Sequence, residues 1–329
     1  MPSKRGLIVL FLLARFAIGN GAQAESAVPA EAKSAFAAGD YGKAIEILNR
    51  VGISQPRDAT VKYLLARCYF ENEQYDRAIP AAEAAVALDS NNSAYHELLG
   101  RGFGEKADRS GWMSALSLAK KARAEFETAV RLDPRNFSAM QALIEFDCSA
   151  PGIAGGGEDK ARPEIQKLSA LDAAEGRYAA GNCRRQKKDN EAADAEFREA
   201  LALHPESADL IYDIGDHYMK HRQADGLLLA IAEGERAAPT DLRGPFFRAV
   251  ALTLQKQNAA DAGKLFREYI AKAPRRNNYP SKAMAHYWLG QIQENQNNSA
   301  AAKGEYAEAL SLEPRNRFAK EALKRLQRN

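Results

Sequence analysis

The sequence predicts an all-α fold, a right-handed α-solenoid of about eight helix pairs with a C-terminal capping helix. Three observations predict it. Small residues recur at a fixed interval: Ala44 to Ala78, Gly181 to Gly215 and Pro205 to Pro239 are each 34 residues apart. Within a unit the apolar positions keep helical spacing, as in Ala302, Tyr306 and Ala309 at i, i+4 and i+7. A polar turn divides each unit, and a proline closes most of them, at Pro56, Pro134, Pro205, Pro239, Pro274 and Pro314. So short a helix pair cannot bury its own apolar face, so neighbouring units must stack to form a continuous core.

The clearest unit is 283–316. Leu289-Gly290 lie in its first helix, Gln296–Ser299 form the turn, and Ala302, Tyr306 and Ala309 line the second helix before Pro314. Gly290 and Ala302 are small where two helix backbones must approach; Leu289 and Tyr306 supply the bulk around that contact. Gly, Ala, aromatic, Ala and Pro at these intervals resemble the tetratricopeptide repeat, a helix–turn–helix unit. Taken in order, the units run over about 25–57, 58–92, 93–136, 137–171, 174–207, 208–241, 243–276 and 283–316, forming one domain over 25–329. The first turns at Gly39-Asp40-Tyr41 and the second at Glu73-Gln74-Tyr75. The third is overlong, with the surplus at Gly104–Ser114, and the fourth carries a wide turn, Ala150–Gly157. The fifth, sixth and seventh keep the period, and Asn277–Lys282 is a short insert before the eighth. Residues 317–329 read as a polar cap whose Phe318, Ala319, Leu323 and Leu326 cover the last repeat. The stretch Leu98–Ala161, with LLGRGFGEKAD, LAKKARAEFETAVRLDP and SAPGIAGGGEDKA, is similar to a subgroup of secreted bacterial tetratricopeptide repeat proteins. That resemblance implies architecture and export, and no reaction.

Net charge and the N-terminus bound the function further. The formal charge is +3, but residues 1–24 hold Lys4, Arg5 and Arg15 and no acid, so the remainder is neutral. A neutral chain lacks the clustered basic footprint of a nucleic-acid binder. Lys4-Arg5, the apolar run Leu7–Ile18 and the end Ala22-Gln23-Ala24 read as a secretory signal peptide cleaved before Glu25. The run is too short to span a bilayer, which takes about 20 residues. The expected mature protein is exported, periplasmic or secreted, and soluble, with no stable membrane insertion after cleavage. Cys68, Cys148 and Cys183 all fall in first helices, where small residues pack, and are read as buried packing residues. Cys148 and Cys183, in adjacent repeats, are the one pair that could form a disulfide.

Function is expected on the concave face that first helices line in such solenoids. One row of that face is Tyr63, Glu97, Gln141, Tyr178, Tyr212, Phe247 and Tyr287; a second, one turn on, includes Arg67, Arg101, Glu145, Asn182 and Asp216. Aromatics and arginine are enriched in binding hot spots, so Tyr63, Arg67, Arg101, Tyr178, Tyr212 and Tyr287 are the candidate groove residues; packing between first helices is the competing role. Some relatives grip a peptide's terminal carboxylate with a lysine and an asparagine four apart; the pairs here, such as Tyr63/Arg67 and Tyr178/Asn182, lack the lysine. Glu97 and Arg101 are placed to pair on their own helix. Trp112 and Met113, in the third repeat's surplus, are a second candidate contact, or else part of a lid. The Gly155–Gly157 turn lacks the G-x-x-x-x-G-K-[ST] spacing of a phosphate loop and reads as a permissive turn. His217 and His221 have metal-ligand spacing, with Asp213 and Asp216 nearby, but the H-E-x-x-H pattern is absent and Lys220 and Arg222 beside them disfavour a cation. Neither a catalytic motif nor a cofactor or metal site is read. The expectation is a non-catalytic scaffold that binds a peptide or partner protein; the alternative is a periplasmic small-molecule or glycan-binding protein using the same tyrosines.

Overall fold

The structure, a computed structural model, describes residues 28–328; the leader read over 1–24 lies outside them. Among the described residues there are 17 α-helices and no strand. They pair as α1 (Ala30–Ala37) with α2 (Tyr41–Ser54), α3 (Ala59–Glu71) with α4 (Tyr75–Leu88), and α5 (Ser93–Asp108) with α6 (Trp112–Leu132). Next come α7 (Phe137–Ser149) with α8 (Glu158–Leu171), α9 (Ala173–Gln186) with α10 (Asn190–Ala202), and α11 (Ala208–Lys220) with α12 (Ala224–Ala237). Then follow α13 (Arg243–Leu254) with α14 (Ala259–Lys272), α15 (Lys282–Asn295) with α16 (Ser299–Leu312), and the single helix α17 (Arg317–Arg328). Each first helix packs on its second and each second helix on the next pair, with several first helices also touching one another (α3 on α5, α5 on α7, α7 on α9, α11 on α13, α13 on α15). This is an α-solenoid closed by a capping helix.

Local chemistry sets these boundaries. Asp58, Asn136, Asp172, Ser207 and Ser281 cap first helices by accepting a backbone N–H from three residues on, which satisfies an otherwise orphan donor. The turns inside six pairs share one geometry, with a left-handed residue two positions past the first helix: Gly39, Glu73, Lys188, Arg222, Lys256 and Asn297. Paired helices meet where glycine lets an aromatic ring lie on the backbone. A Cβ on Gly100, Gly181 or Gly290 would sit 2.7, 2.5 or 2.3 Å from the rings of Phe126, Phe197 or Tyr306.

The core is unequal along the solenoid. From Ala193 to Ala322 it is one continuous cluster. Toward the N-terminus it divides, and around α7–α9 it shrinks to Met140, Ile144, Ala161, Leu168, Ala179 and Cys183. Helix α9 buries mainly alanine and glycine. There the structure departs from the expectation of three packing cysteines. Cys148 on α7 and Cys183 on α9 form a disulfide, with Cα atoms 5.4 Å apart; Cys68 remains a buried free thiol. The two cysteines are 35 residues apart, about one repeat, which brings equivalent positions of neighbouring first helices into contact.

The surplus in the third repeat is neither a loop nor a lid. It lengthens both helices, so α5 reaches Asp108 and α6 starts at Trp112, with 16 and 21 residues respectively. The Gly155–Gly157 turn closes onto the end of α7. Gly157 N–H donates to the Asp147 carbonyl at 2.8 Å, Gly155 and Gly157 have φ of +100° and +148°, and a Cβ on Gly156 would meet the Ala150 carbonyl oxygen at 2.2 Å. Glu158 and Asp159 occupy the first turn of α8, so the anion-attracting helix end already carries negative charge.

Candidate functional site

The structure distributes the candidate groove residues over four surroundings. Tyr63, Arg67 and Arg101 come together between α3 and α5, lining a hollow of about 250 Å³ with Phe70 and Glu97. The Tyr63 ring packs on Tyr95 with centroids 4.8 Å apart. The Arg67 guanidinium lies over the rings of Phe36 and Tyr63, at 4.6 and 5.8 Å, and among the described residues no carboxylate pairs with it. Its N–H donors therefore remain available to an incoming acceptor. Arg101 is held: its Nε donates to Glu97 at 3.0 Å and its Nη2 to the Ser138 hydroxyl at 2.9 Å. Burial opposes ionisation of Glu97, but Arg101 and hydrogen bonds from Ser138, Arg101 and Asn136 outweigh it and hold the carboxyl below its ordinary value.

A second, larger hollow of about 490 Å³ adjoins the first, sharing Phe70 and Arg101 with it. It runs between the lengthened ends of α5 and α6 and the end of α7, with Trp112, Leu116, Phe146 and Pro151 along its sides. Trp112 and Met113 stand at the tip of the helix pair, 68% and 82% exposed, and Ile153 near the opposite side is 60% exposed. A tryptophan that exposed forgoes much of the burial energy of its ring, roughly 25 cal/mol per Å²; the third repeat thus carries its apolar surface outward. The two sets of candidates, separate in sequence, meet on one surface.

Tyr178, Tyr212 and Tyr287 lie elsewhere. The half-buried Tyr178 donates its hydroxyl to Asp213 at 2.9 Å, beside Arg185, which bridges the same carboxylate at 3.0 Å. Burial, reinforced by Asp213, raises the Tyr178 hydroxyl well above its ordinary value. Tyr212 is 2% exposed, stacked on Phe247 with centroids 5.7 Å apart and covered by the Arg243 guanidinium at 4.8 Å. Tyr287 is buried among Trp288, Tyr306 and Phe318, where it seats the capping helix. These last two rings serve packing in this conformation. Of the histidine pair, His217 is buried with its Nε2 2.6 Å from Asp194, and among the described residues no group of three or more His, Cys, Asp or Glu side chains could hold a metal.

Sequence patterns of known families match three stretches, residues 35–102, 174–207 and 254–317, and each is described as a tetratricopeptide repeat. The chain is a tetratricopeptide repeat protein. Repeats of this family build protein–protein interaction scaffolds and are generally non-catalytic. No curated protein matches the chain. Among solved structures it is similar to a tetratricopeptide repeat protein from Parabacteroides merdae, at 13% identity over 91% of this chain and 96% of that one, with a TM-score of 0.45. It is also similar to a thermophilic TPR protein of Thermus thermophilus, at 17% identity over 68% of this chain and 95% of that one, TM-score 0.44. A third likeness is to the APC/C Cut9–Hcn1 hetero-tetramer, at 14% identity over 90% of this chain and 54% of that one, TM-score 0.49. Among the described residues no helix of this tetratricopeptide repeat protein is long and apolar enough to cross a membrane.

Proposed function

We propose that this protein is an exported scaffold that binds an extended segment of a partner protein along the first-helix face of its N-terminal half. One observation carries this reading: the hollow at Tyr63, Arg67 and Arg101 continues through Phe70 into the apolar hollow beneath Trp112. An acidic group of the partner would pair with the Arg67 guanidinium, the charged donor in the hollow without a carboxylate partner, and apolar side chains would fill the larger space. A planar, rigid fork of donors backed by two aromatic rings suits such capture. The disulfide supports the export part of the reading, because disulfides form and persist in oxidising compartments.

The test is photo-crosslinking in cells, with a probe in place of Trp112 or Phe70 and a control probe in place of Leu312. A discrete protein adduct from the first two positions, absent from Leu312 and lost with Arg67→Glu, is the expected result. Adducts from Leu312 alone, or unchanged capture by Arg67→Glu, would overturn the reading. Thermal shifts with soluble oligosaccharides or metabolites, without any protein adduct, would favour a small-ligand binder instead. N-terminal sequencing of the protein recovered in the same experiment tests export: a start at Glu25 is expected, and an intact Met1 would contradict cleavage.

A further inference from the structure

The connection between α14 and α15 is the longest between any two helices of the solenoid, and both of its ends grip distant repeats. On one side it holds the first pair and the end of α3. Tyr41 donates its hydroxyl to the Arg275 carbonyl at 2.5 Å, across 234 residues of sequence. Arg276 Nη2 donates to the Ala37 carbonyl at 3.2 Å, and the Asn277 N–H to Glu71 Oε2 at 3.2 Å. Gly39 carries the same message. Its φ is +76°, and a Cβ there would lie 2.6 Å from the nitrogen and the carbonyl oxygen of Arg275. The equivalent turn position in other repeats is Glu73, Lys188, Arg222, Lys256 or Asn297, with φ of 54–62°. The turn itself therefore accepts a side chain, and the glycine answers to the backbone of Arg275.

On the other side the connection sits on α11 and α13. Asn278 Nδ2 donates to Asp209 at 2.9 Å, and Arg243 Nη1 donates to the Asn278 carbonyl at 3.3 Å. Tyr279 lies over the Arg243 guanidinium at 4.8 Å, so Tyr279, Arg243, Tyr212 and Phe247 form a continuous stack. Arg243 is only 4% exposed and is fixed by Asp209 and Asp241. Between the connection and the two helices lies a cavity of about 320 Å³, bordered by Tyr212 and Phe247.

We propose that residues 275–279 are an intramolecular latch. They clasp the first two repeats to the sixth and seventh, close the solenoid on itself, and cover the first-helix face at Tyr212 and Phe247. A partner reaches that half of the face only when the latch opens. The proposal rests on the reading that first helices bind a partner, but its test is conformational, so the two can fail separately. Gly39→Asn keeps a residue that tolerates the left-handed turn, as Asn297 does, while its Cβ excludes Arg275. A double variant, Tyr41→Phe with Glu71→Ala, instead removes two of the bonds and keeps the Tyr41 ring. The readouts are the rate of tryptic cleavage after Arg275 and Arg276, followed by mass spectrometry, and the radius of gyration from X-ray scattering. Local opening governs such cleavage, and losing two hydrogen bonds should speed it roughly ten-fold or more, with a larger radius and unchanged helical content. If Gly39→Asn fails to fold, the double variant decides. A folded variant with the wild-type cleavage rate and radius overturns the proposal, as does a wild-type protein already cleaved at the variant's rate.

Discussion

Replacing Cys148 and Cys183 by serine tests whether the junction between the fourth and fifth repeats depends on its cross-link. A bridge between residues 35 apart lowers the entropy of the unfolded chain by an amount worth about 4 kcal/mol at 25 °C. That figure is an upper bound, since strain in the native state or residual structure in the unfolded one reduces it. Apolar packing at the junction is thin, because the cluster around it is small and α9 contributes mostly alanine and glycine to the interior. Besides the bridge, Gln141 donates to the Glu175 carbonyl and carboxylate, Gln186 to Glu145, and Lys187 pairs with Glu158. Repeat arrays are stabilised by each unit and by its interface with the next, so weakening one interface uncouples the two sides. Urea unfolding, followed by circular dichroism, should show the variant less stable by about 2–4 kcal/mol, with the single transition broadened or split. The long C-terminal cluster should account for the later part. Coincident curves for the oxidised protein and the variant would refute the reasoning. Titration of three thiols in the denatured, unreduced protein would remove the bridge itself, since only Cys68 should react.

Gly290→Ala drives a methyl group into the fully buried ring of Tyr306, 2.3 Å from the nearest ring carbon; overpacking of about 1–3 kcal/mol should exceed the helix-propensity gain of about 1 kcal/mol and lower the melting temperature. Gly304→Ala, where the added Cβ meets nothing within 4 Å, is the control and should raise it. Glu97→Gln should cost about 1–2 kcal/mol at neutral pH, as expected for a charge-assisted hydrogen-bond network. Because the folded carboxyl of Glu97 sits below its ordinary value, its contribution is present above that value and disappears as pH falls through the folded one. The gap between wild type and variant in melting curves should therefore begin to narrow as pH falls through the ordinary glutamate value, about 4.3, and close once pH is below the folded value; a gap that stays constant through acid pH would assign the loss to packing.

Helix pairs were legible because their cause is local. The 34-residue interval and the Ala302–Tyr306–Ala309 spacing follow from one helix lying on the next, and each pair repeats that contact. The third repeat's surplus was harder to read. Gly104-Glu105-Lys106-Ala107-Asp108 is polar and contains glycine, features of loops, yet charged residues and alanine also propagate a helix, and Ser110-Gly111 makes the actual turn. Placing Tyr178, Tyr212 and Tyr287 was beyond a period-based argument. They stand in the same row as Tyr63 and differ from it in what packs over them: Asp213 and Arg185, Arg243, and the Phe318 of the cap. The disulfide carried a readable signal in its spacing of about one repeat. The clasp on Arg275 carried only Gly39, one glycine where other turns have side chains, because its partners are joined by the summed rotation of the repeats between them.

Contact between Tyr41 and Arg275 also bears on how the chain folds. Repeat proteins build from neighbours and can nucleate anywhere along their length, and contacts between adjacent helices close only short loops. Tyr41 and Arg275 are 234 residues apart, a loop whose closure from the unfolded chain carries an entropic cost that grows with its length. The contact becomes accessible only once the repeats between have stacked and carried the two ends into register. It forms last, and only on a solenoid of the correct number and pitch of repeats. An array missing a repeat, or misjoined in the middle, would leave Tyr41, Glu71 and the backbone of Arg275 facing water, so the end-to-end contact acts as a length check on the finished fold.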